Sequence, residues 1–173
     1  MDWREEALDQ LDFYWAGWRP RLDGLTDEEY FWEPVAGCWS IRPVADGWAM
    51  DFAFPEPDPP PVTTLAWRLN HIAGHVFGLR VSNHFGDGSY RMDHHDHPAT
   101  AAAALSYLDE QHRSWRDGIG ALDAAGWARP VGRAEGPFAD RSYLALVLHL
   151  NRELCHHGGE VALLRDLYRA GAR

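Results

Sequence analysis

Leu146-Val147-Leu148-His149-Leu150-Asn151-Arg152-Glu153-Leu154-Cys155-His156-His157-Gly158-Gly159-Glu160-Val161-Ala162-Leu163-Leu164 decides the fold. Read at alternating steps of three and four, an inward stripe runs through Leu146, Leu150, Glu153, His157, Glu160 or Val161, and Leu164, ending at Leu167 or Tyr168. That is the period of an amphipathic helix, and it spans about 141–170. Three more segments carry the same signature. From Trp3 to about Leu22, Ala7, Leu8, Leu11, Tyr14, Trp15, Trp18 and Leu22 keep helical spacing, with Pro20 set to kink or end the helix. From the N-cap candidates Thr63 and Thr64 to about His84 the stripe is Leu65, Leu69, Ile72, Val76 and Leu79, and Gly86-Asp87-Gly88 breaks it. From about Pro98 or Ala99 to Ala125 it is Leu105, Leu108, His112, Trp115, Ile119 and Leu122. Four long helices and no convincing strand pair predict an all-α four-helix bundle. Thr26-Asp27-Glu28-Glu29 is a capping-box pattern for a short extra helix that Pro34 stops. Residues 35–62 have no clear period, and the run Phe54-Pro55-Glu56-Pro57-Asp58-Pro59-Pro60-Pro61 excludes helix and central strand. They read as a long ordered excursion between the first two helices, of a length that covering a pocket would explain.

Composition sets the outer limits. The chain has 173 residues, a net charge of -10, 46% hydrophobic and 24% charged residues, so 1–173 forms one domain with a buried core. Nine tryptophans demand an aromatic-rich core or pocket. All 16 basic residues are arginine and none forms a run, so an acidic surface argues against nucleic acid as a partner. No signal peptide and no apolar stretch of about 18 residues is visible, which predicts no membrane span and a cytoplasmic protein. Cys38 and Cys155 lie far apart and read as reduced thiols, Cys155 buried and inert, Cys38 open to exposure and reaction.

The anomaly is in the last helix. Glu153 and His157 stand where the stripe calls for apolar residues, one turn apart on one face, at a spacing from which both reach a single divalent ion. A carboxylate on a buried face needs a partner. His149 precedes Glu153 by four and extends the row, while His71 and His75 in the second helix, four apart and beside Gly74 and Gly78, offer a third ligand. Two imidazoles and one carboxylate leave a coordination position open, as catalytic sites do. The alternative is a helical Glu–His pair that is salt-bridged with no metal at all. His75 by itself reads as a satisfied interior histidine, His112 as a hydrogen-bonded core residue, and His156 as exposed, since it points about 100° from His157. His94, His95 and His97 read as a solvated turn with at most adventitious metal affinity. No phosphate loop, dinucleotide fingerprint or serine elbow is present.

Leu25-Thr26-Asp27-Glu28-Glu29, Trp32-Glu33-Pro34, Trp39-Ser40-Ile41-Arg42, Trp67-Arg68-Leu69-Asn70-His71-Ile72-Ala73 and Asn151-Arg152-Glu153-Leu154-Cys155-His156-His157-Gly158-Gly159-Glu160 together resemble the DinB-like superfamily over nearly the whole chain. That superfamily includes mycothiol-dependent maleylpyruvate isomerases and bacillithiol transferases. The resemblance implies an up-down-down-up bundle, often a homodimer, and one divalent metal held by His71, Glu153 and His157. Many members have His at the position of Glu153; the mycothiol-dependent isomerase branch has Glu. The function implied is a thiol-dependent S-transferase or isomerase, in which Zn, Ni, Fe or Mn activates a low-molecular-weight thiol such as mycothiol against a small-molecule electrophile. Arg68, Arg80 and Arg152 are candidates to hold carboxylates of thiol or substrate, and Trp39, Trp48 and Trp67 to wall the pocket. A hydrolase using metal-bound hydroxide, with His75 or His149 as base, and a non-catalytic helical bundle are the competing readings.

Overall fold

Every long helix begins on a short polar side chain that accepts a hydrogen bond from a free backbone N–H of the first turn. A computed structural model describes residues 2–55 and 57–171. In it Asp2 caps α1 (Trp3–Trp18), Thr64 caps α3 (Leu65–Asn70), Thr100 caps α5 (Ala101–Gly120) and Ser142 caps α7 (Tyr143–Arg169). Thr26 caps α2 (Asp27–Tyr30), as the capping-box pattern predicts. α1 passes at Arg19 into a 3-10 turn, Arg19–Leu22, that contains Pro20. α3 continues through a π-helical segment, His71–Gly78, into α4 (Leu79–Phe85), making one rod that stops at Gly86. The predicted third helix is shorter than expected: α5 ends at Gly120, and Asp123 caps a separate helix, α6 (Ala124–Ala128).

Cross-helix contacts fix the direction of each rod. Asp12 and Arg19 of α1 and its extension pair with Arg116 and Asp109 of α5, so these two run antiparallel. Asn151 donates to Ala7 O, Tyr14 to Cys155 O and Trp18 to Gly158 O, so α1 and α7 run parallel. Arg68 meets Glu160 and His84 meets Tyr143, so the rod containing the π segment opposes α7. Phe77 packs on His112 and Phe85 on Trp115, so that rod lies parallel to α5. The bundle is therefore up-down-down-up. A Cβ at Gly78 would lie 2.9 Å from the hydroxyl of Tyr107 on α5, so a small residue does bring that helix close, whereas a Cβ at Gly74 would meet the hydroxyl of Tyr90.

Two expectations are corrected. The excursion carries a β-ribbon: β1 (Ile41–Val44) pairs antiparallel with β2 (Gly47–Met50). Strands of four residues, one containing Pro43, are too short to show an alternating pattern. The buried face of α7 is also only partly the predicted one. Leu146, Leu150 and Val161 are buried as expected, but Val147, Leu154, Gly158 and Arg165 share that face, and Leu167 is exposed. Glu153 and His157 thus sit on the shoulder of the buried face, beside the rod that carries His71.

Arg165 is 1% exposed and Glu29 3%. Arg165 donates from Nε and Nη2 to the two oxygens of Glu29 at 2.6 and 3.0 Å, and from Nη1 to the carbonyls of Arg21 and Asp23. This fork ties the end of α7 to α2 and the turn before it.

Candidate metal centre

His71 stands at the first position of the π segment and is held by Trp67, whose ring stacks on it at 5.1 Å with planes 10° apart. π segments are rare, and they concentrate at functional sites because the wide turn redirects side chains. Here both His71 and His75 line the pocket between this rod and α7. The His71 ring lies edge-on to His157 at 4.7 Å. One ligand atom from each of His71, Glu153 and His157 lies within 4.8 Å of the others, so the three predicted residues converge and are able to hold a metal ion. His157 Nε2 is 3.3 Å from Glu153 Oε2.

The surroundings orient each donor. His157 Nδ1 bonds Glu160 Oε2 at 2.7 Å, and Glu160 is in turn paired with Arg68 at 3.1 Å. A carboxylate on the far nitrogen of a ligating histidine fixes its tautomer and makes the other nitrogen a better donor. Glu153 Oε1 accepts from Arg152 at 3.0 Å and lies 3.5 Å from His149. Burial raises the Glu153 carboxyl, but the Arg152 hydrogen bond and the nearby His149 and His157 outweigh it, so the group stays ionised. Burial, with smaller contributions from His157 and His75, holds His71 well below the usual imidazole range. The site therefore offers an anionic oxygen and an uncharged imidazole at neutral pH, a donor set suited to Zn, Ni, Fe or Mn. A second grouping of His156, His157 and Glu160 exists on α7 alone. Its His156 is exposed and its Glu160 is already engaged by Arg68, so it offers no enclosed position.

Two of the donors, His71 and Glu153, line a pocket of about 490 Å³ together with Trp39, Phe52, Phe54, Trp67, Met92 and Arg80 among others. Trp39 and Trp67 wall it as expected; Trp48 instead packs on Phe31. The three arginines offered as carboxylate holders are all occupied by the protein's own groups: Arg68 by Glu160, Arg80 by Glu135 and the His75 carbonyl, Arg152 by Glu153 and His149.

A family model described as the DinB superfamily matches residues 10–161. The chain belongs to the DinB superfamily. DinB-superfamily proteins generally bind metal, and in this DinB-superfamily chain the matched region contains all three converging donors. No curated protein and no solved structure matches the chain. Among the described residues no helix is long and apolar enough to cross a membrane.

Several single-residue expectations change. Cys38 is buried, and its Sγ donates to Val35 O at 2.7 Å, so it is not an exposed thiol. Cys155 is half-buried, and burial pushes its thiol pKa up. His112 is core, but it stacks flat on Trp15 at 3.6 Å, and its Nε2 has no hydrogen-bond partner among the described residues. His75 is interior yet likewise leaves Nε2 unpartnered. The 94–97 turn is not solvated throughout, since His97 is 4% exposed. Sequence reasoning gave Glu160 no role, although its i+3 spacing from His157 was the available signal.

Proposed function

We propose that this DinB-superfamily protein holds one divalent metal through His71, Glu153 and His157 and is a thiol-dependent S-transferase or isomerase. The observation that carries the reading is the convergence of three donors from two antiparallel rods, two of which, His71 and Glu153, line an aromatic pocket. Glu at 153 matches the mycothiol-dependent isomerase branch, so a low-molecular-weight thiol of that kind is the co-substrate, in the reducing cytoplasm. A metal bound there supplies Lewis acidity that lowers the pKa of a thiol lying against it.

The chain's own residues do the rest. Trp67 and Glu160 hold the two imidazoles in place, and Arg152 and His149 keep the Glu153 carboxylate aimed inward. Trp39, Phe52 and Phe54 wall the space in which an apolar electrophile sits beside the thiol and water is displaced. In transfer, the thiol loses its proton to solvent, sulfur donates its electron pair to carbon, and the leaving group departs with the pair of the broken bond. In isomerisation, the same C–S bond forms by addition across a double bond and later breaks, returning the thiol.

Elemental analysis of untagged protein tests the first half: about one metal per chain is expected, lost in the Glu153→Ala, His157→Ala double variant. Titrating small thiols into the cobalt-substituted protein tests the second. A thiolate-to-metal absorption band is expected, and its absence at saturating thiol rejects thiol activation.

A further inference from the structure

Residues 92–97 are pressed against the β-ribbon and enclose a second chamber. Trp48 N–H donates to His95 O at 2.7 Å and His95 Nδ1 bonds Asp46 at 2.7 Å. Gly47, at φ +145, is the residue the loop crosses, and a Cβ there would run into the His95 carbonyl. The chamber is about 350 Å³, with Met50, Phe52 and Met92 as apolar walls and His75 and His97 as buried polar ones. Phe52, His75 and Met92 also line the larger pocket, so the two spaces adjoin.

A chain of buried hydrogen bonds sets the tautomer of His97. Tyr30 OH donates to Pro98 O at 2.7 Å. Asn70 Nδ2 donates to Tyr30 OH at 2.7 Å and to Ala66 O at 2.8 Å, which identifies its other atom as the oxygen. That oxygen faces His97 Nδ1 at 3.3 Å, so Nδ1 carries the proton. Burial, then His94 and His75, holds the His97 pKa down at about 3, so the ring is neutral and Nε2 is a bare lone pair. It has no hydrogen-bond partner among the described residues, and neither has Nε2 of His75, which is 7% exposed. An unmade buried hydrogen bond costs about 1–3 kcal/mol, and a ligand that makes it recovers that cost.

We propose that this chamber binds a hydroxyl group borne on an otherwise apolar organic molecule, the hydroxyl donating to His97 Nε2 and sharing a second hydrogen bond with His75 Nε2. The hydroxyl's one proton goes to His97 Nε2, so its oxygen accepts from His75, in the tautomer that carries the proton on Nε2. An anion meets a lone pair and the Asp93 carboxylate there, and no arginine or lysine lines the chamber. A preformed metal cage is not what the geometry offers, because neither residue joins a three-donor grouping among the described residues. The subsite deepens the reading of the adjoining pocket by naming a feature of its substrate, yet it stands without the metal.

Benzyl alcohol, toluene and benzoate are matched probes for this subsite. Binding is followed by nitrogen-15 NMR of histidine-labelled protein, as purified and after chelation. Benzyl alcohol is expected to bind about tenfold more tightly than toluene, equivalent to about 1.4 kcal/mol, and to move the His97 Nε2 resonance; benzoate is expected to bind worst. His97→Leu is expected to bring the alcohol-to-toluene ratio to about one. A ratio near one in the unmodified protein, a preference for benzoate, or a ratio that survives His97→Leu overturns the proposal. If that variant fails to fold, the His97 Nε2 resonance decides, since it must respond to the alcohol and not to toluene. The chelated sample separates this outcome from failure of the metal reading.

Discussion

Replacing Arg165 with Met removes a guanidinium that makes two hydrogen bonds to Glu29 and two to backbone carbonyls, in a place where water reaches neither charge. Glu29 is left at 3% exposure with its only ion-pair partner among the described residues gone. Stranding one member of a buried pair costs about 3–5 kcal/mol. For a domain of this size, about 2–4 °C of melting temperature follows each kcal/mol, so Arg165→Met is expected to melt roughly 6–20 °C below the parent. Glu29→Leu is expected to cost a similar amount, since it leaves the guanidinium uncompensated; its backbone N–H still reaches the Thr26 cap. The double variant carries no stranded charge and is expected to recover most of the loss. Urea midpoints at constant slope, measured on all four proteins, give the coupling directly. A single variant within about 1 kcal/mol of the parent, or a double variant whose loss is the sum of the singles, would refute the claim that the fork anchors α7.

Three further outcomes follow from the geometry. Glu160→Gln takes the charge off the group that holds His157, and metal affinity by isothermal titration is expected to fall about 10–100-fold; an unchanged affinity contradicts that role. His112, stacked on Trp15, has its pKa lowered by burial to about 4 from an ordinary value near 6.5. The unfolded chain therefore binds the extra proton first, so stability is full above pH 6.5 and falls by roughly 3 kcal/mol as pH drops to about 4. His112→Phe is expected to flatten that part of the urea-midpoint profile, and an unaltered profile counts against it. Gly47→Ala meets both a positive φ and the His95 carbonyl. Faster hydrogen exchange at the Trp48 amide is expected, and unchanged protection shows that the loop accommodates the methyl.

The parts of this structure that were legible in the sequence are those governed by local chemistry. Thr64 and the capping box at Thr26 mark helix starts because a hydroxyl and nearby amide protons suffice to define them. The Glu153–His157 spacing was readable for the same reason, since one helical turn brings both residues onto one face. Arg165 was not. It is a charge inside the core whose partner lies 136 positions away, so no local window reveals the pair. The stripe of α7 departs from the observed face at its C-terminal end on that account, because apolar Leu164 looks a better core residue than Arg165. The ribbon escaped because four-residue strands with Pro43 show no alternation, and with the ribbon unseen the histidine turn had nothing to be docked against. The π segment is likewise invisible to a period of 3.6, although it carries His71 and His75.

The donor on the π segment and the pair on α7 come from opposite halves of the polypeptide. A cation held between them would act as a removable cross-link between position 71 and positions 153 and 157. Nascent chains lacking the final rod carry one of the three donors, so occupancy would report completed folding. Thermal tolerance would then rise with available ion by mass action, by about 2.7 kcal/mol at a hundredfold excess over the dissociation constant.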